Sequence, residues 1–265
     1  EDICAMAALR RAHFEIRETF IASSKNELIE KLKDFAADNF YENRKKFEAK
    51  EKIKTIFIFP GQGAQWISMG KALLATEPVF KSALEECATV YSNYVDWDLL
   101  EEINKHETES RLNEIDIIQP VLVAVEIALA NLWMSKGIFP DAVIGHSMGE
   151  VAAAYVAGII SLKDAAKIII TRSNLMKQLS GKGEMGSTDL SVEEANELIK
   201  GYENKLSIAV INSKNSLVIS GEPDALNDVF AKLETQGRFN RKIKVDVASH
   251  SPQMEIIMQD LADVL

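Results

Sequence analysis

The stretch Asp141-Ala-Val-Ile-Gly-His-Ser-Met-Gly-Glu-Val-Ala-Ala-Ala-Tyr155 organises the rest of the chain. Ala142-Val143-Ile144 reads as a short buried strand, and the alanine-rich run from Gly149 to Val156 reads as a helix. Between them stands Gly145-His146-Ser147-Met148-Gly149, a G-x-S-x-G pentapeptide at a strand-to-helix junction. A turn that tight forces the apical side chain outward, and glycine on either side removes the Cβ atoms that would clash. The Ser147 hydroxyl is therefore expected above the sheet edge, at a helix N-terminus whose free N–H groups favour developing negative charge. The pentapeptide also fits a plain glycine-rich turn with an N-cap serine, so its surroundings must decide.

The chain has 265 residues, 47% hydrophobic and 26% charged, enough to bury one large core or two unequal ones. A formal net charge of -10 and a pI of about 5.1 argue against a general nucleic-acid binder. No apolar run approaches the ~18 residues of a membrane helix, and no signal peptide opens the sequence, so no membrane partner is expected. Cys4 and Cys87 provide neither a disulfide framework nor metal-ligand spacing, and they read as the reduced thiols of a cytoplasmic protein. The chain opens on Glu1 with residues that look like mid-chain sequence, which reads as a piece of something longer.

Residues 1–50 form a separate section. His13 to Ala22 alternates like a strand, Ser24-Lys-Asn-Glu27 is a capping box for a helix through Phe35, and the charged run Tyr41–Lys54 reads as a linker or surface helix. A buried strand, Thr55–Phe59, then leads into Pro60-Gly-Gln-Gly-Ala-Gln-Trp66. That loop has Trp66 where a dinucleotide-binding G-x-G-x-x-G would have its third glycine, and it is not a Walker loop. It is read instead as the place where an oxyanion and a substrate chain are held. Helical patterns follow over Pro78–Tyr91, Ile118–Lys136 and Leu162–Gln178. From Gly183 the texture becomes β-α-β-β-α-β, the order of a ferredoxin-like unit, over 183–245. Val247-Ala-Ser-His250 and a last amphipathic helix from Gln253 close the chain.

Four histidines can be weighed as partners for Ser147. His13 lies in the detached N-terminal section, His106 sits in a charged stretch, and His146 adjoins the serine but should diverge from it along the strand end. His250 remains, in a loop where the chain returns from the small unit. Arg172, on the Leu162–Gln178 helix, would on its own read as a solvated surface arginine.

Taken together, Gly61-Gln-Gly-Ala-Gln65, Gly145-His-Ser-Met-Gly149, Arg172 and Val247-Ala-Ser-His250 resemble the acyltransferase domain of modular polyketide synthases, within the malonyl-CoA:acyl-carrier-protein transacylase superfamily. The resemblance covers nearly all of 52–265, while 1–50 is similar to the end of a ketosynthase-to-acyltransferase linker. It implies an α/β fold: an α/β-hydrolase-like large subdomain with a parallel sheet over 51–182 and 246–265, and an inserted ferredoxin-like subdomain over 183–245. It further implies Ser147 as acylated nucleophile, His250 as its base, and the N–H groups of Gln62 and Met148 as an oxyanion hole. Arg172 would pair with the free carboxylate of a malonyl-type acyl group. Val247 and Ser249 would set the pocket floor. Serine at the position of Ser249 accompanies methylmalonyl in the family and phenylalanine accompanies malonyl, whereas Val247 departs from the usual tyrosine and Met148 from the usual glutamine. The implied order is methylmalonyl ahead of malonyl. No cofactor is permanently bound: a CoA thioester donates, and the phosphopantetheine arm of a partner acyl carrier protein accepts. Ketosynthase and other domains of the same megasynthase are further implied partners. In the family the chain continues past the His250 motif, whereas this one stops at Leu265, which leaves the activity of a 1–265 fragment open.

Two other readings share the residues. A serine esterase or thioesterase has the same turn and would need an acid between Ser147 and His250, for which Asp164, Asp189, Asp224 and Asp246 are candidates. A non-catalytic docking piece of a megasynthase would not need Ser147 and His250 intact.

Overall fold

The computed structural model describes residues 2–12, 14, 18–37, 54–63, 65–243, 245 and 247–265. It forms two compact units, 1–54 and 55–265. In the first, helix α1 spans Asp2–Leu9 and α2 spans Lys25–Ala37. Half of the expected capping box opens α2: Ser24 Oγ accepts from the Glu27 N–H at 3.2 Å, but the Glu27 carboxylate accepts from the N–H of Ser23, one residue before the cap, at 2.7 Å. The strand expected over 13–22 does not form in residues 18–22, where Phe20 packs edge-on against Phe35 of α2 at 5.0 Å. Alternation makes a strand only where an edge is available to pair with, and the described residues of this unit contain none. Residues 13, 15–17 and most of the 41–54 run lie outside the described residues.

The second unit carries the α/β fold. Strands β1 (Ile56–Phe59) and β2 (Ala142–Gly145) pair in parallel, Ile56 opposite Ala142 and Phe59 opposite Gly145. Helices α3 (Lys71–Thr76), α4 (Pro78–Tyr91), α5 (Leu99–Asn104) and α6 (Ile115–Ser135) lie between them in sequence, with α7 (Gly149–Val156) and α8 (Leu162–Lys177) after β2. Phe57, Phe59 and Val143 turn toward the core built by α4, α6 and α7, and the opposite face carries Ile56, Ile58 and Ile144. Ser161 and Asp164 close a reciprocal capping box at the start of α8, as its sequence indicates.

Helix α6 corrects two expectations. It starts at Ile115 rather than Ile118, which places Pro120 inside the helix, because burying Ile115, Ile117 and Ile118 outweighs the hydrogen bond that proline cannot donate. With 21 residues and a mean hydropathy of 1.8 it is also long and apolar enough to cross a membrane, contrary to the reading of the apolar runs. Its apolar window is 78% buried, so it is the central helix of the core. Cys87 is buried against it and Cys4 is exposed, and both are free thiols.

Strands β3 (Glu184–Thr188), β4 (Leu206–Ser213), β5 (Ser216–Gly221) and β6 (Asn240–Ile243) form an antiparallel sheet in the order β4-β5-β3-β6. Helices α9 (Val192–Leu198) and α10 (Pro223–Thr235) complete β-α-β-β-α-β, and that strand order is the ferredoxin-like one. Its separate core is built from Leu217, Ile219, Leu226, Val229, Phe230 and Leu233. Register shifts in β4 at Ala209 and Asn212 interrupt its pairing with β5. A 3-10 turn at Pro252–Met254 and helix α11 (Glu255–Val264) end the unit.

Candidate active site

The pentapeptide folds as its glycines require. The His146 N–H donates to the Phe59 carbonyl at 2.9 Å, tying the turn to the end of β1, and Ser147 then takes a left-handed φ of 53°. The Gly149 and Glu150 N–H groups donate at 3.0 Å to the carbonyls of His146 and Ser147 and start α7. A Cβ at position 145 would collide with the Glu150 backbone, and one at 149 with the carbonyls of Phe59 and Pro60. Strand, turn and helix can approach this closely only with hydrogen at both positions.

His250, in the loop between β6 and the turn at Pro252, reaches the serine. Its Nε2 lies 2.8 Å from Ser147 Oγ, although 103 positions separate them in sequence. His250 also has a left-handed backbone, φ 59°, and its carbonyl accepts a 2.6 Å hydrogen bond from the Ser207 hydroxyl on β4. The Ser251 hydroxyl donates to the Ala248 carbonyl at 2.7 Å and closes the loop. Burial lowers the imidazole pKa below the ordinary 6.5, the charge of Arg172 and then His146 lower it further, and Glu150 opposes them. The shift favours the neutral ring, the form that can accept a proton from the Ser147 hydroxyl 2.8 Å from Nε2.

Two cavities meet at this pair. One, of about 410 Å³, is walled by Glu150, Arg172 and the β4 residues Ala209 to Ile211. The other, of about 160 Å³, is lined by Gln62, Gln119, Met148, Met185, Val218 and Ser249. Arg172 Nη1 donates to Gln119 Oε1 at 2.6 Å, and Gln119 Nε2 donates to Gln62 Oε1 at 3.2 Å. Burial lowers the guanidinium pKa against the pull of Glu150, but an arginine stays charged throughout the working range. The arrangement offers an activated hydroxyl, a neutral base and a fixed positive charge in one cleft.

Of the residues singled out from sequence, Ser147, His250, Arg172, Gln62, Met148 and Ser249 border these cavities. Val247 does not. It is 1% exposed and packs with Met176, Leu179 and Ile257, because the tight turn that sends the Ser249 N–H back to its carbonyl points its side chain under α8 and α11. His146 was expected to turn away, yet it borders both cavities and its Nδ1 flanks Gly61. Among the candidate acids, Asp164 is held in its capping box and Asp189 by Arg238, while Asp246 lies outside the described residues. Sequence reasoning missed Gln119 and Ser207. A lone glutamine inside the apolar run of α6 was a usable signal, since an unpaired amide is costly to bury; Ser207 carried none.

Residues 56–265 match the family model described as "Acyl transferase domain". The chain is 40% identical over 255 residues to mycoketide-CoA synthase of Mycobacterium tuberculosis, covering 96% of this chain and 6% of that protein. It is 38% identical over 261 residues to erythronolide synthase EryA2 of Saccharopolyspora erythraea, covering 97% of this chain and 7% of that one. The crystal structure of the acyltransferase domain from module 8 of the salinomycin polyketide synthase shares 43% identity at a TM-score of 0.77, over 80% of this chain and 50% of that one. The chain therefore spans a small fraction of the curated relatives and half of the solved domain.

Proposed function

The chain belongs to the acyl transferase domain family of polyketide synthases, and from that premise we propose that it loads an extender acyl group, methylmalonyl ahead of malonyl, onto an acyl carrier protein. The donor is a CoA thioester, the acceptor is the thiol of a carrier-bound phosphopantetheine arm, and a ketosynthase and other domains of the same assembly are its neighbours. The observation that carries the reading is the 2.8 Å approach of His250 Nε2 to Ser147 Oγ beside the Arg172 wall.

A serine hydroxyl is a weak nucleophile until an imidazole takes its proton. Ser147 Oγ attacks the thioester carbonyl as its proton passes to His250, and the oxyanion is met by the N–H groups of Gln62 and Met148. Each such donor contributes roughly 2.7–4 kcal/mol to the transition state. Collapse breaks the C–S bond, the proton on His250 goes to the CoA sulfur, and an acyl-serine remains. The carrier thiol reverses these steps, giving its proton to His250 as it attacks. The planar fork of Arg172 matches the free carboxylate of a malonyl-type group with two parallel hydrogen bonds.

Incubation with methylmalonyl-CoA should add one acyl mass to the peptide bearing Ser147, and added carrier protein should discharge it as carrier thioester. Acylation that persists in Ser147→Ala would refute the nucleophile. Discharge to free acid would favour the esterase reading.

A further inference from the structure

Gln119 is 3% exposed on α6, flanked by the buried Ile117, Ile118, Pro120 and Val121. Its amide has only one orientation that satisfies both neighbours. A guanidinium donates and never accepts, so Oε1 must face Arg172, which leaves the NH2 group to donate to Gln62 Oε1. The backbone beneath it is pinned as well: the buried Tyr91 hydroxyl donates to the Pro120 carbonyl at 3.1 Å. We infer that Gln119 is a positioning residue that holds one edge of the Arg172 guanidinium without neutralising it, keeps the remaining donors for an acyl carboxylate, and links them to the Gln62 loop.

The chemistry of the side chain supports this. Among the described residues no carboxylate is in ion-pair contact with Arg172, and Glu150, in the wall of the same cavity, acts on it only at longer range, so the guanidinium keeps donors for a ligand. A carboxylate at position 119 would fix the guanidinium equally well but would cancel that charge. A hydrocarbon would leave an N–H edge of Arg172 buried without an acceptor. A neutral amide avoids both and adds a donor for Gln62, whose backbone N–H is the proposed oxyanion ligand. Recognition of the acyl carboxylate and presentation of the oxyanion hole then depend on one buried amide.

The inference rests on the reading of Arg172 as the carboxylate clamp, so the experiment carries that variant alongside. The measured quantity is the ratio of kcat/KM for methylmalonyl-CoA to that for acetyl-CoA, with circular dichroism to confirm the fold. Gln119→Glu should lower the ratio about 10- to 100-fold, the scale of a charge-assisted hydrogen bond, while acetyl transfer falls less, through the lost donor to Gln62 alone. Gln119→Met, similar in volume and lacking the amide, should lower it less and serves if the carboxylate disturbs folding. In an Arg172→Ala background Gln119→Met should not change the ratio further. A ratio unchanged in both Gln119 variants while Arg172→Ala lowers it overturns the inference and leaves Arg172 as the clamp. A ratio unchanged in Arg172→Ala overturns both.

Discussion

The Ser207 hydroxyl donates to the His250 carbonyl at 2.6 Å, so the small antiparallel sheet holds the base that faces Ser147. Ser207→Ala should slow acylation of Ser147 about 5- to 10-fold, the worth of one neutral hydrogen bond, while Ser207→Thr keeps most of the rate. Rapid measurement of CoA release tests this. Equal rates in wild type and Ser207→Ala would show that the contact does not orient the imidazole.

The depressed pKa of His250 sets a pH dependence. As pH falls through 6.5, the imidazole of the unfolded chain protonates while the folded one remains a base, so acylation should persist below pH 6.5 and fail only at the lower folded value. Folding stability falls over the same window, because there the unfolded state binds the extra proton. Arg172→Ala removes the second-largest cause and should move the acid limb upward, leaving the effect of burial in place. A limb that does not move in that variant would mean the arginine charge is not felt at the base.

Ser249 borders the smaller cavity, of about 160 Å³, with Met148 and Val218. A phenylalanine there would take the space of an α-methyl group, and one methyl changes specificity in an apolar pocket by about 10- to 200-fold at most. In competition between methylmalonyl-CoA and malonyl-CoA for Ser147, the wild type should prefer the former and Ser249→Phe should shift toward the latter. A wild-type preference for malonyl would reverse the assignment.

Glu126, on α6, is 7% exposed beside an apolar groove of about 620 Å³, and neither carboxyl oxygen has a partner among the described residues. Burial raises its pKa from 4.5 to about 8. The folded state keeps a proton that the unfolded state releases, so this group's contribution to stability declines as pH rises from 4.5 toward 8. Glu126→Leu should therefore stabilise the protein at pH 7 by about 3 kcal/mol and have little effect at pH 4. Urea unfolding at the two pH values measures it, and an equal effect at both would show that ionisation is not the cause.

Local chemistry made most of the fold legible. The glycines at 145 and 149, the Ser161 cap and the alternation in β3 to β6 each specify a backbone shape from a few neighbouring residues. Where long-range packing decided, the reading failed: α6 runs through Pro120 because its burial outweighs a local rule, and residues 18–22 form no strand because no sheet edge among the described residues meets them. The site divides the same way. Ser147 and His250 stood out by motif and elimination, and Arg172 by resemblance, whereas the turn that buries Val247 and the crossing that brings Ser207 to His250 exist only once the small sheet docks.

The left-handed backbone at Ser147 and His250 has an evolutionary consequence. Among the described residues only Ser68 shares such a positive φ without being glycine. Glycine would relax either position by roughly 1 kcal/mol and abolish the function of the side chain. A library of this chain selected for heat resistance alone should therefore accumulate glycine at 147 and 250, giving hardy proteins that transfer nothing. Thermal tolerance and activity draw on the same two torsion angles, and selection must act on both together to keep them.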